Sequence, residues 1–114
     1  MSEITFDKAA ELFASATLSA GNKTGVKVGK GYHSAWLIVT AKSGTTPTLD
    51  VHLEESDDDS TYYDIPGGAF PQLGDATGRK NIQIRTTRNY IRVVSATGGT
   101  NPVYTGQVLL NPIP

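Results

Sequence analysis

The sequence predicts an all-β fold, namely an antiparallel, jelly-roll-like β-sandwich of about eight strands with a short N-terminal arm or helix. Three observations predict this class: short apolar segments recur along the chain, turn residues separate them, and crossover helices are missing between them. The 114 residues include 12 Gly and 6 Pro, the residues most typical of turns. The length fits one domain, which we divide into an arm (residues 1–15) and a β-sandwich domain (residues 16–114). A small barrel is the other way to bury such strands.

The arm contains the one candidate for a helix, residues 5–14. Phe6, Ala10 and Phe13 are spaced for a single apolar helical face. The segment is barely two turns long and would need a partner surface to be stable. An extended arm is therefore the alternative.

The first half of the β-sandwich domain alternates apolar and polar residues, the pattern of half-buried strands. Leu49, Val51 and Leu53 show this most clearly. Residues 36–39 are all apolar, which predicts a central strand buried on both faces with Trp36 in the core. The strands predicted in this half are 16–20, 26–28, 34–42 and 49–54, with turns at 21–23, 29–31 and 43–47.

The second half follows the same pattern. Ile82 and Ile84 alternate with polar residues, as do Ile91 and Val93. The strands predicted here are 61–65, 81–86, 89–96 and 103–110, with a brief strand at 69–73. Turns are predicted at 66–68 and 98–102, where Gly and Pro cluster.

Two segments of the chain echo each other at an offset of 55 residues. Residues 40–49 and 95–104 share the pattern [ST]-A-x-[SG]-G-T-x-P-x-[LY]. In each, Gly permits a positive φ and Pro stiffens the exit from a turn. The pattern predicts a duplicated hairpin with matched loops at one end of a sandwich, and two unrelated turns of similar chemistry are the alternative.

Several functional classes find little support in the composition. The chain has no Cys, a net charge of −1 and 18% charged residues, which exclude disulfides and thiolate metal sites and do not indicate nucleic-acid binding. The longest apolar stretch, residues 35–39, is too short to span a membrane. His33 and His52 are expected at the surface or in loops, with His52 beside Asp50 and Glu54. We therefore predict no enzyme, no cofactor and no metal.

Two weaker binding hypotheses remain. The acidic turn at residues 54–60 offers oxygen ligands for Ca²⁺, but its Asp residues are contiguous and not spaced as in known calcium loops. A solvated hairpin tip is the expected structure. Aromatic side chains would form a platform for sugar stacking in a carbohydrate-binding module: Trp36, Tyr62, Tyr63, Tyr90 and Tyr104.

Charge is segregated along the chain. Of the four charged residue types, residues 43–78 contain only Asp and Glu, whereas residues 79–114 contain only Lys and Arg. The first range also contains His52. Either neighbouring strands pair these charges inside the domain, or the surface has an acidic and a basic side suited to head-to-tail contacts.

Two segments resemble small structural proteins of tailed bacteriophages. The first, residues 34–58, reads SGTTPTLDV and then EESDD, similar to a turn, strand and acidic tip of that family. The second, residues 90–102, reads YIRVVSATGGTNP and is similar to another segment of those proteins. The pattern extends broadly over residues 16–110, and Asp59 departs from it, since a turn glycine is common there.

The resemblance implies a non-enzymatic virion component, most simply a capsid decoration (cement) protein that bridges major capsid subunits. It further implies a homo-oligomer, with a trimer favoured, located on the capsid surface after assembly in the host cytoplasm. A head-completion, tail or fibre-associated part is the alternative within virions. The candidate partner-contacting residues are Phe6, Phe13, Tyr62, Tyr63, Arg79, Lys80, Arg85, Arg88, Arg92, Asp57, Asp58 and Asp59.

Overall fold

The computed structural model describes residues 10–18, 21–22 and 25–113, and all regular structure within them is antiparallel β-strand. No helix in this part of the chain is long and apolar enough to cross a membrane. The strands are β1 (Ala10–Thr17), β2 (Gly21–Asn22), β3 (Val26–Lys27), β4 (Gly31–Ser56), β5 (Tyr63–Ala69), β6 (Gly78–Thr86) and β7 (Tyr90–Pro112). The predicted all-β antiparallel class is confirmed.

The strands form one seven-stranded sheet around a central pair, β4 and β7. β1, β2 and β3 pair with β7, whereas β5 and β6 pair with β4. The predicted sandwich of about eight strands is not confirmed, since only five of these strands exceed two residues and they share one curled sheet.

The length of β4 requires the sheet to curl. Twenty-six residues of strand would extend over about 80 Å if straight, but the longest dimension of the molecule is 46 Å. The register of the β4–β7 ladder shifts between Val39 and Thr48, so this segment is where the long pair bends.

The bend consists of two matched irregularities that face each other across the ladder. Gly44 and Thr46 have φ values of 111° and 44°, and Gly99 and Asn101 have values of 98° and 50°. Thr45 pairs with Thr100. The two echoing segments are therefore neighbours in one ribbon, related by an approximate local two-fold axis.

The predicted turns at 43–47 and 98–102 are consequently wrong. Both segments lie inside continuous strands and act as β-bulges, which bend a strand without reversing it. The same residue types serve both purposes, because a bulge and a tight turn each need a positive φ. The predicted break at 66–68 lies wholly inside β5, and residues 21–22 of the predicted break at 21–23 form β2.

A single apolar core fills the concave side of the curled sheet. Alternate residues of both halves of β4 contribute to it, including Leu37 and Val39 before the bend and Leu49, Val51 and Leu53 after it. Each such side chain contributes roughly 1.5–3 kcal/mol to folding. Because one cluster joins both halves, bending at the bulges is what encloses the core.

Trp36 differs from its prediction. β4 is central, between β6 and β7, as predicted. Residues 35, 37 and 39 are buried, however, whereas 34, 36 and 38 are only half-buried on the opposite face. Trp36 therefore lies on the outer face, and the strand is fully buried on one side only. The expectation that His33 lies at the surface or in a loop is also wrong, because His33 belongs to β4 and is 6% exposed.

The N-terminal prediction is corrected in part. Residues 10–14 belong to β1 and pair with the last residues of β7, so the helix is wrong there and the chain is extended. β1 also crosses the expected boundary between residues 15 and 16. Residues 1–9, including Phe6, lie outside the described residues. Phe13 pairs with Val108 through its backbone.

We expect the glycine positions of the paired bulges to tolerate no Cβ. A Cβ on Gly99 would lie 2.5 Å from the Thr46 carbonyl oxygen, in addition to the positive φ. Gly99→Ala should lower the free energy of unfolding by about 2 kcal/mol or more, measured by urea denaturation. Gly74→Ala is the control, since a Cβ there meets nothing within 4 Å. Equal stability of the two variants would contradict the bulge geometry.

Candidate functional site

The acidic tip, Asp57 to Asp59, follows the end of β4 and is organised by Asp58. One carboxylate oxygen of Asp58 accepts hydrogen bonds from the Ser56 hydroxyl (2.9 Å) and the backbone N–H groups of Ser60 (2.9 Å) and Thr61 (3.0 Å). These donors, with Thr61 foremost, lower the pKa of Asp58. Such bonds stabilise the turn itself. The carboxylate of Asp58 thus has a structural role, in agreement with the predicted solvated tip.

Asp59 and Tyr62 form a second polar contact in the tip. Asp59 has a φ of 59°, a conformation that Gly would adopt more easily. Its carboxylate accepts a hydrogen bond from the Tyr62 hydroxyl. Burial, and secondarily the Asp59 carboxylate, raise the pKa of Tyr62 to about 12. A Cβ on Gly25 would collide with both groups, so Gly25 allows this contact.

Two arginines cover the tyrosine rings beside the tip. The Arg92 guanidinium carbon lies 4.2 Å from the centre of the Tyr62 ring, and that of Arg88 lies 4.5 Å from the Tyr63 ring. Both distances are within the range of cation–π attraction. Tyr63 remains 49% exposed, so the surface here is aromatic as well as charged.

The positive charges of Arg88 and Arg92 are paired with carboxylates of the acidic turn at residues 54–60. Arg92 binds Glu54 through Nε at 2.8 Å and through a terminal nitrogen at 2.6 Å. Arg88 Nε lies 3.8 Å from an Asp57 oxygen. For Arg88 and Arg92, the charges segregated in sequence are paired between strands, which was one of the two expectations.

Glu54 is largely enclosed, with a side chain 15% exposed. Burial by itself would raise its pKa, but hydrogen bonds from His52 and Arg92 prevail and the pKa is lowered. His52 Nε2 lies 2.9 Å from Glu54 Oε2 and 3.5 Å from Asp64 Oδ1. These three donor atoms all lie within 4.8 Å of one another, and they are the side chains best placed to hold a metal ion in the described part of the chain.

Three other basic residues lie apart, on β6. We call Arg79, Lys80 and Arg85 the basic edge, because β6 pairs with β4 on one side and with no other described strand. Arg79 and Arg85 are exposed, and Arg85 lies 5.6 Å from the centre of the Tyr32 ring. Within the described residues, none of the three forms an ion pair with an acidic side chain.

Apart from Phe6 and Phe13, the structure therefore divides the predicted contact residues into two groups. The tip group contains Asp57, Asp58, Asp59, Tyr62, Tyr63, Arg88 and Arg92. The basic edge is the second group. The aromatic platform expected for sugar stacking is incomplete, because Tyr104 is fully buried and its hydroxyl donates to the Gly74 carbonyl at 2.7 Å.

Sequence reasoning missed the position of Asp64. The alternation along β4 correctly places His52 beside Glu54 on the outer face. Asp64 joins them because it pairs with Glu54, whereas His52 pairs with Ala69. Between these two pairs β5 has three residues more than a regular ladder would, and this irregularity brings Asp64 opposite Glu54. No pattern in the sequence predicts the number of extra residues.

Comparison with protein families and with curated proteins finds no match.

We expect the Tyr62 phenol to ionise near pH 12. The stability that its contact with Asp59 provides should be complete below pH 10 and lost as the pH rises through about 12. Burial also raises the pKa of Tyr104, so phenolate absorbance during a pH titration should contain more than one late transition. Tyr62→Phe should remove one of them, and Asp59→Asn should shift that one to lower pH. Late absorbance unchanged in amplitude in Tyr62→Phe would refute this assignment.

The Glu54–Arg92 pair should be energetically coupled, because both side chains are mostly enclosed and the hydrogen bonds are charge-assisted. A double-mutant cycle with Glu54→Gln and Arg92→Met should give a coupling free energy of about 1–2 kcal/mol. The corresponding cycle for Asp57→Asn and Arg88→Met should give less than about 0.5 kcal/mol, because Asp57 is exposed and the pair is longer. Equal values would contradict the geometry.

Proposed function

We propose that this chain is a non-enzymatic structural protein of a tailed-phage virion, most specifically a capsid decoration protein that bridges major capsid subunits. The support from sequence is the resemblance carried by residues 34–58 and 90–102. In the structure these two segments are hydrogen-bonded neighbours in the β4–β7 ladder. The resemblance thus covers one contiguous part of the fold and not two separate loops.

The observation that carries the proposal is the basic edge. Arg88 and Arg92 are balanced by acidic partners, but Arg79, Lys80 and Arg85 are not balanced within the described residues. Unpaired charges along a strand without a second neighbour favour docking on an acidic protein surface. Many such weak contacts, repeated by the symmetry of a shell, give high total affinity. No catalytic group is required.

The proposal also includes the quaternary arrangement. An acidic tip and a separate basic edge suit heterologous contacts, which close into a ring when the rotation between copies permits. A trimer is the favoured ring. The jelly-roll-like sandwich is retained as part of the proposal, with the two halves of the curled sheet as its layers. A docking arm is expected at residues 1–15; its residues 10–15 belong to β1, and residues 1–9 lie outside the described residues.

The location of the chain in particles tests this function. Cryo-electron microscopy and mass spectrometry of virions produced from the encoding genome should find the protein at regular positions on the capsid surface. Density at one vertex or along the tail would favour the head-completion, tail or fibre alternative. Absence from purified particles would refute both. Glycan binding lost in Tyr63→Ala would instead favour a carbohydrate-binding module.

Charge reversal on the basic edge should weaken attachment to the shell. Arg85→Glu should lower the affinity for purified undecorated shells by roughly threefold to tenfold, with a loss that grows at low salt. Lys27→Glu, an exposed reversal on β3, is the control and should bind like the unmodified chain. Co-sedimentation with the shells measures both. Equal binding by Arg85→Glu would exclude the basic edge as the contact.

A further inference from the structure

We propose that His52, Glu54 and Asp64 form a binding site for a divalent transition-metal ion of the Zn²⁺ class. The three side chains come from two neighbouring strands, β4 and β5. They are separate from the basic edge, and the inference does not depend on the proposed virion role.

The distances between the donor atoms fit a single small ion. His52 Nε2 lies 2.9 Å from Glu54 Oε2 and 3.5 Å from Asp64 Oδ1. Ligands at about 2.1 Å from Zn²⁺ stand about 3.0 Å apart at right angles and about 3.4 Å apart in a tetrahedron. The two separations from His52 lie close to these values, and the donor atoms of Glu54 and Asp64 lie within 4.8 Å of each other.

The donor types select the class of metal. Ca²⁺ and Mg²⁺ prefer all-oxygen sites, whereas imidazole favours Zn²⁺, Cu²⁺ and Ni²⁺. Imidazole and carboxylate are both zinc ligands, and a zinc site with an open position uses three protein ligands and a water molecule. The contiguous carboxylates of the acidic tip lack such a nitrogen donor, and Asp58 already uses its oxygen for the turn.

The scaffold holds the ligands firmly. His52 and Glu54 are two residues apart on the same face of a central strand, and Asp64 lies directly opposite Glu54 in the ladder. Arg92 binds Oε1 of Glu54, which leaves Oε2 directed to the cluster. A hydrogen bond from outside the site fixes the orientation of a ligating carboxylate.

The cluster is also accessible. The side chains of His52 and Asp64 are 38% and 82% exposed. A groove of about 390 Å³ beside them is lined by both residues and by the Gly67–Gly68 stretch of β5. An ion can enter from solvent there, and water can occupy its remaining coordination positions.

Calorimetric titration of the full chain with Zn²⁺ tests the site. The unmodified chain should bind one ion, and His52→Ala and Asp64→Asn should each lower the affinity at least tenfold. Asp50→Asn is the matched control, because Asp50 precedes His52 by two residues and is bonded to Gln72, outside the cluster. It should bind like the unmodified chain. Glu54→Gln is avoided because it also removes the partner of Arg92.

A spectroscopic readout identifies the ligand directly. The chain has two histidines, so the imidazole signals in an NMR spectrum are simple to assign. Zn²⁺ should shift the signals of His52 and leave those of His33 in place. Absence of saturable binding, shifts confined to His33, or unchanged affinity in both His52→Ala and Asp64→Asn would overturn the proposal.

Discussion

The fold depends on one constraint, which is that β4 and β7 must bend together without breaking their ladder. A Cβ on Gly44 would lie 2.6 Å from the Asn101 carbonyl oxygen, and one on Gly99 would lie 2.5 Å from that of Thr46. Each glycine thus lets the opposite backbone approach closely. The bend brings the two halves of the sheet around a common core, to which Leu37 and Leu53 contribute from either side.

The same ribbon determines where the polar residues meet. Register in the second half of β4 places Glu54 opposite Arg92, and the end of that strand leads into the acidic tip. Glu55, although buried, accepts hydrogen bonds from the backbone N–H and the hydroxyl of Thr87, which attaches the β6–β7 connection to β4. The carboxylates of Glu54 and Glu55 therefore have their partners within the domain. The basic edge, on β6, is left for contacts outside it.

The strand pattern could be predicted well from the sequence, but the turns between strands could not. Alternation identified the buried faces around Leu49 and Ile91, because one side of the sheet must exclude water. Gly-Thr-x-Pro segments predicted turns and form bulges, since both need the same backbone angles and only the partner strand distinguishes them. Within the site, the proximity of His52 and Glu54 follows from period-two alternation. Asp64 could not be placed, because its pairing depends on an irregularity of β5.

Nuclear Overhauser effects between backbone protons test the central claim, the pairing of the two echoing segments, most directly. The structure predicts cross-strand contacts between Ser43 and Val103 and between Leu49 and Thr97, on both sides of the bend. Two separate hairpins would instead place Lys42 opposite Thr48 and Thr97 opposite Val103. Observation of these local contacts, without those between the segments, would contradict the bent ribbon and the arrangement of charges built on it.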